Sequence, residues 1–130
     1  MGGQPPLSDE CPRALDTETL RSRKSSRTDF SEVPRTPIAV VLDGVSGPYN
    51  QGALFRLADG FLLEHLHFCG AELSLWNRRF KKASRGTTRW VPHTMDARAS
   101  DVVSSYRERG YRIVVAEQAI GSVPVWDAEL

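Results

Sequence analysis

Between Pro37 and Leu42 the chain reads PIAVVL, an uncharged run rich in β-branched residues and bounded by Pro37 and Gly44. Such a run is the mark of a buried strand of the kind parallel sheets need. DGVSGP then breaks the chain with two glycines and a proline. From Asn50 to Leu63 a helix is expected, because Leu54, Leu57, Ala58, Phe61 and Leu62 recur at three- and four-residue spacing and form one apolar stripe. Gly60 within it marks close packing or an early end. A strand that feeds a loop and then an amphipathic helix confines the fold to a helix laid over a sheet.

The pattern repeats downstream. HLHFCGA (His65–Ala71) reads as a second strand, with His65, His67 and Cys69 on one face and Leu66 and Phe68 on the other. NRRFKKASRGTTR reads as a long, partly ordered connection. TRWVPHT (Thr88–Thr94) reads as a third strand, with Pro92 at an edge or an end. Asp96 is placed to cap a helix over Ala97–Arg109, whose apolar positions are Ala99, Val102, Val103 and Tyr106 and which Gly110 ends. YRIVVAEQ (Tyr111–Gln118) reads as a fourth strand. Apolar strands alternating with helices make an α/β domain with a mainly parallel sheet.

The 130 residues suit one domain. Hydrophobic residues at 40% and charged residues at 25% exclude a collagen, a disulfide-dense miniprotein and wholesale disorder. No apolar run approaches the roughly 18 residues of a membrane-spanning helix. The opening MGGQPPLSDECPR has no apolar core segment and is not a secretory signal. Cys11 and Cys69 form no CxxC, and with no export signal a reducing cytoplasm and free thiols are expected. Residues 1–36 read as a poorly ordered tail, sparse in large apolar side chains, with at most a short helix over Asp16–Lys24. The folded domain is expected over 37–130.

Net charge is only +1, but its distribution is uneven. In the tail, acids and bases cancel. Between Arg78 and Arg89 lie Arg78, Arg79, Lys81, Lys82, Arg85 and Arg89 with no acid among them. Clustered cations attract phosphate backbones; a solvated loop carries the same composition. Trp76, Phe80 and Trp90 interleave with this run, either as rings that stack on nucleic-acid bases or as packing residues.

In open α/β sheets, ligands bind beyond the carboxyl ends of strands, often against a helix start. The loop after Leu42 leads into PYNQGALFR, which puts Asn50, Gly52 and Arg56 near one such start. Asn50 offers donor and acceptor, Gly52 permits close backbone approach, and Arg56 is a permanent cation with a rigid fork. The same residues also fit an N-cap, a tight turn and a surface arginine paired with Asp59. No GxGxxG is present, so the dinucleotide fingerprint is lacking.

GPYNQGALFRLADGF resembles the first motif of the SpoU/TrmH (SPOUT) family of RNA methyltransferases, in which Pro-x-Asn-x-Gly-Ala is followed by Arg-x-Ala. Pro48, Asn50, Gly52, Ala53, Arg56 and Ala58 fit it, and Leu57 stands where threonine is often found. KKASRGTTRWVPH (Lys81–His93) is similar to the family's Ser-x-Gly segment and Trp-Val-Pro strand, and GYRIVVAEQ (Gly110–Gln118) to the strand that follows. The resemblance spans Pro37 to about Gln118.

It implies a Rossmann-like α/β fold, a homodimer, and methyl transfer from S-adenosylmethionine to a ribose 2′-hydroxyl of tRNA or rRNA. Asn50 and Arg56 inherit the reacting site. A guanidinium is too weak an acid to lose a proton and so act as a base, so Arg56 is expected to stabilise a developing 2′-oxyanion or a nearby phosphate, with Asn50 orienting Arg56 or the ribose. Ser84, Arg85 and Gly86 would meet RNA backbone alongside Arg78, Arg79, Lys81, Lys82 and Arg89. Glu117 is either an outer support of the site or a solvated strand-end carboxylate. The family's later motifs thread a C-terminal trefoil knot and hold the methyl donor. No Gly-x-Glu-x-x-Gly, Pro-Met or Ser-Leu-Asn-Val segment follows here. An incomplete sheet is therefore expected, with the knot segment missing and no donor-binding residues within this chain. The alternative is an inactive, RNA-binding fragment.

His65 and His67 have the i, i+2 spacing some metal sites use, but no third ligand is evident, so a strand surface is expected. Cys69 is expected as a small buried hydrophobe.

Overall fold

A computed structural model describes residues 14–23 and 32–129. Cys11, and the end of the short helix expected to reach Lys24, lie outside the described residues. The chain divides into two units, Met1–Val33 and Pro34–Leu130. In the first, helix α1 (Thr17–Ser22) starts where Asp16 accepts the Thr19 backbone N–H at 2.8 Å.

The second unit is built on a parallel three-stranded sheet in the order β1-β2-β3. β1 is Thr36–Asp43, β2 is Leu63–Cys69 and β3 is His93–Asp96. Val40, Val41 and Leu42 pair with Leu66, His67 and Phe68, and Leu66 and His67 pair with His93 and Thr94. Helix α2 (Pro48–Gly60) joins β1 to β2. Pro48 takes its first turn, where a missing N–H costs nothing. It stops at Gly60, whose surroundings are open, so the glycine marks an end and not close packing. Helices α3 (Arg78–Ser84) and α4 (Ala99–Glu108) follow β2 and β3. This is the expected α/β, Rossmann-like parallel arrangement.

Strand alternation sorts the two faces. Leu66 and Phe68 turn to one side, where Phe55 of α2 stacks on Phe68 at 5.4 Å and meets Phe80 of α3 edge-on at 5.7 Å. Leu42, Ala58 and Val91 complete that core. Burying an aromatic ring here contributes roughly 2–3 kcal/mol. His65 and His67 turn to the other side, where Tyr106 of α4 covers His67.

Four expectations need correction. Arg78–Ser84 is a helix, not a loose connection: Asn77 caps it by accepting the Arg79 N–H at 2.8 Å, and Phe80 and Ser84 form its buried stripe. The strand expected over Thr88–Thr94 begins only at His93. Thr87–Arg89 forms a turn of 3₁₀ helix, where Trp90 and Val91 donate to the Thr87 carbonyl. Pairing begins only at the Pro92 carbonyl, which accepts from Leu66 N–H at 3.0 Å. Asp96 does not cap α4; it ends β3 and binds His67 and Thr94.

The fourth concerns Tyr111–Gln118, which forms no strand. Tyr111 is tied to Glu64 through its hydroxyl and to Tyr106 O through its N–H. The chain then borders β1 across a groove that both line. Without an edge at the roughly 4.8 Å a ladder requires, Val114 and Val115 stay exposed. Glu117 is exposed there and accepts the Gln118 N–H.

Among the described residues no helix is long and apolar enough to cross a membrane.

Candidate nucleic-acid interface

Helices α2 and α3 pack side by side because Gly52 lets them. A Cβ on Gly52 would lie 2.6 Å from the Phe80 carbonyl oxygen and 2.9 Å from the Ala83 Cβ. The glycine expected to admit a ligand therefore admits a helix. Ser84, expected to touch RNA, is sealed in the same contact, 2% exposed, its backbone N 3.1 Å from the same point. Its carbonyl accepts the Thr87 hydroxyl at 2.7 Å, which draws the chain after α3 into a turn. Arg85 (φ +51°) and Gly86 (φ +80°) complete that turn in the left-handed region.

Neighbouring Gln51 is fully buried and fully bonded. Its amide N–H groups donate to the carbonyls of Val45 (2.8 Å) and Glu72 (2.9 Å), and its oxygen accepts from Ser74 N–H (3.0 Å). It joins the loop before α2 to the loop before α3. No feature of the sequence marked it, since a glutamine among apolar helix positions looks solvent-facing.

On the outer side of the α2–α3 contact lies an open cleft of about 620 Å³, lined by Tyr49, Arg56, Arg79, Lys82, Ala83 and Arg85. Four of the six are cations and none is an acid. Tyr49 and Arg56 are seven residues apart, almost two full turns, so they share a helix face. Tyr49 is 63% exposed; no expectation from the sequence included it, and its spacing from Arg56 is the signal that would have found it.

The basic run is thus divided. Arg79, Lys82 and Arg85 join Arg56 in the cleft. Arg78, Lys81 and Arg89 lie outside its lining, and the Lys81 ammonium sits 5.0 Å above the ring of exposed Trp76. Phe80 and Val91 are core residues. Gly86 lies at the turn beyond the lining.

Asn50 and Arg56 do not converge. Asn50 is exposed in the first turn of α2, and its side chain packs at the Gly47 position, within 3.5–3.9 Å of where a Cβ would stand. Six residues on, Arg56 is rotated by about 120° and displaced by about 9 Å along the axis. What stands beside the Arg56 guanidinium is Asp59, at 3.6 Å.

The opposite sheet face holds a separate polar cluster. Asp96 accepts from His67 Nδ1 at 2.8 Å and from the Thr94 hydroxyl at 2.7 Å. A carboxylate only accepts, so His67 Nδ1 carries a proton toward Asp96, and Nε2 lies in hydrogen-bond contact with the Tyr106 hydroxyl at 3.0 Å. The hydrogen bonds from Thr94 and His67 hold Asp96 below the usual carboxylate range. Burial, then the neighbouring His67, lowers His65. Burial raises the thiol of Cys69, 1% exposed, above its ordinary value, in keeping with a small buried hydrophobe. Among the described residues no cluster of three metal-ligating side chains occurs.

The cleft suits an anion with a repeating charge, such as a phosphodiester backbone. It does not suit S-adenosylmethionine, whose sulfonium is itself a cation. Residues 37–129 match the SpoU rRNA methylase family. No curated protein matches the chain.

Proposed function

Because the chain belongs to the SpoU rRNA methylase family of RNA methyltransferases, we propose that it serves ribose 2′-O methylation of tRNA or rRNA, with S-adenosylmethionine as donor, and that the α2–α3 cleft receives the RNA backbone. The observation that carries this reading is the lining: four cations, no acid, and among them Arg56 of the helix motif.

Arg79, Lys82 and Arg85 bind phosphates and set the register of the strand. Tyr49 offers a ring face to a neighbouring base or sugar. Arg56 turns its guanidinium to the ribose. A 2′-hydroxyl is a poor nucleophile and must shed its proton, here to water in the open cleft, as it reacts. The Arg56 guanidinium, a rigid fork of N–H donors, lowers the energy of the oxygen that gains negative charge. No residue set in the cleft fits the donor, so these roles concern the RNA side alone. Asn50, six residues earlier, is left to contact RNA at the helix start and not to orient Arg56. The reading also includes a homodimer, which sedimentation velocity would register.

The test is nucleoside mass spectrometry of tRNA and rRNA transcripts after incubation with the full chain and donor. A 2′-O-methylnucleoside whose yield falls about a hundredfold, but not to zero, with Arg56→Ala supports the reading. RNA binding without any such product supports the alternative, an RNA-binding protein that transfers no methyl group. The observation favouring that alternative is the misfit between the cleft and the donor.

A further inference from the structure

Arg56 is half exposed, and a long side chain in that position samples many rotamers. An ion pair at i, i+3 on a helix surface holds such a side chain weakly, because both partners must be ordered. Here one partner is already ordered. Asp59 is 17% exposed, and its Oδ1 accepts the Trp90 indole N–H at 2.7 Å while Oδ2 faces Arg56 Nη1.

Trp90 is held at several points of its own. Its carbonyl accepts from Arg35 Nη2 at 3.1 Å, and its backbone N–H donates to the Thr87 carbonyl at 3.2 Å. Its ring packs against the hydrophobic core. A continuous series of contacts therefore runs from the core, through an indole and a carboxylate, to the guanidinium in the cleft.

Resting on the RNA-methylation reading of that cleft, we propose that Asp59, fastened by Trp90, is a positioning residue that holds Arg56 for the ribose. The arrangement separates two quantities that a merely structural contact would move together. The Asp59 charge opposes RNA phosphates while its geometry serves the reacting oxygen. Removing the charge therefore favours RNA binding and harms turnover.

The experiment uses the full chain with Asp59→Asn, Trp90→Phe, Arg56→Ala and the two double variants containing Arg56→Ala. Affinity for a single-stranded oligoribonucleotide, KM and kcat for methyl transfer, and the melting midpoint are read for each. Asp59→Asn is expected to lower kcat about tenfold, with RNA affinity unchanged or up to about threefold tighter. Trp90→Phe keeps an aromatic ring and the acid but removes the indole N–H, so kcat falls similarly at unchanged affinity. In the Arg56→Ala background neither substitution lowers kcat further, because the residue they act through is gone. An undiminished loss in that background, or parallel loss of affinity and turnover with the melting midpoint, overturns the proposal.

If the wild-type chain methylates no RNA, the functional reading fails separately. The positioning is then read by NMR from rotation of the Arg56 guanidinium. Rotation restrained in wild type and freed in Asp59→Asn and Trp90→Phe supports the proposal, and equal rotation in all three overturns it.

Discussion

The α carbon of Gly52 lies so close to the Phe80 carbonyl that a Cβ would meet its oxygen at 2.6 Å. That oxygen belongs to helix backbone and cannot swing aside, so Gly52→Ala must push α3 away from α2. Overpacking of this kind costs about 1–3 kcal/mol, against which alanine's better helix propensity returns at most about 1 kcal/mol. A lowered melting midpoint, with weaker RNA binding because Arg79, Lys82 and Arg85 move relative to Arg56, is expected. Unchanged stability would show that the helices are not in this contact.

Gln51 gives a second prediction. Gln51→Leu has similar size but strands the Val45 and Glu72 carbonyls and the Ser74 N–H, all of which it now satisfies. Each buried group left unpaired costs about 1–3 kcal/mol unless water reaches it. A loss of at least about 2 kcal/mol in urea unfolding is expected, more than the loss for truncating the exposed Leu57 on the same helix.

Where the sequence could be read, apolar periodicity carried the information. PIAVVL, the stripe of Leu54, Leu57, Ala58, Phe61 and Leu62, and the alternation through Leu66 and Phe68 each placed an element close to its observed bounds, though Leu57 and Phe61 of that stripe are exposed and Phe55, outside it, is buried. Where it misled, local chemistry competed with pattern. The run Arg78–Ser84 has few apolar residues and looked like a loop, yet an Asn77 cap and a buried Phe80 suffice for a helix. Tyr111–Gln118 has strand composition, but composition supplies no partner edge. The site was legible in part. The cations were visible, and so was the Arg56–Asp59 pair, as the bland alternative to a reacting group. Which cations share a cleft was not visible, because that depends on the helix that the charges concealed. Gly52 was legible as a close approach, though not as an approach between helices.

That division predicts a graded salt response. Arg79→Ala, Lys82→Ala and Arg85→Ala should each flatten the dependence of RNA affinity on salt by about 0.7 in log–log slope, the contribution of one released counterion on a single strand. Arg78→Ala and Arg89→Ala, outside the cleft lining, should change it by less than half as much. Anisotropy titrations of an oligoribonucleotide from low to physiological salt would read the slopes. Equal slopes for all five variants would mean that the basic surface acts as a diffuse field and not as a cleft.

The histidine face predicts a pH dependence of stability. Burial and the adjacent His67, at 4.4 Å between ring centroids, depress His65 below its ordinary value, against the opposing pull of Asp96 and Glu64. A group with a depressed folded pKa leaves the unfolded chain binding more protons across the interval between the two values. Stability therefore falls as pH drops from about 6.5 toward the folded pKa of His65. Asp96 is depressed too, by hydrogen bonds from Thr94 and His67. Its contribution is present above about 3.9 and is lost as pH falls through its lower folded value. The two groups slope the same way in separate windows. His65→Gln, which cannot take a proton, should lose less melting temperature than wild type between pH 7.5 and 5.5, while both decline alike below pH 4. Equal losses in the upper window would mean that His65 titrates in the fold as it does in the unfolded chain.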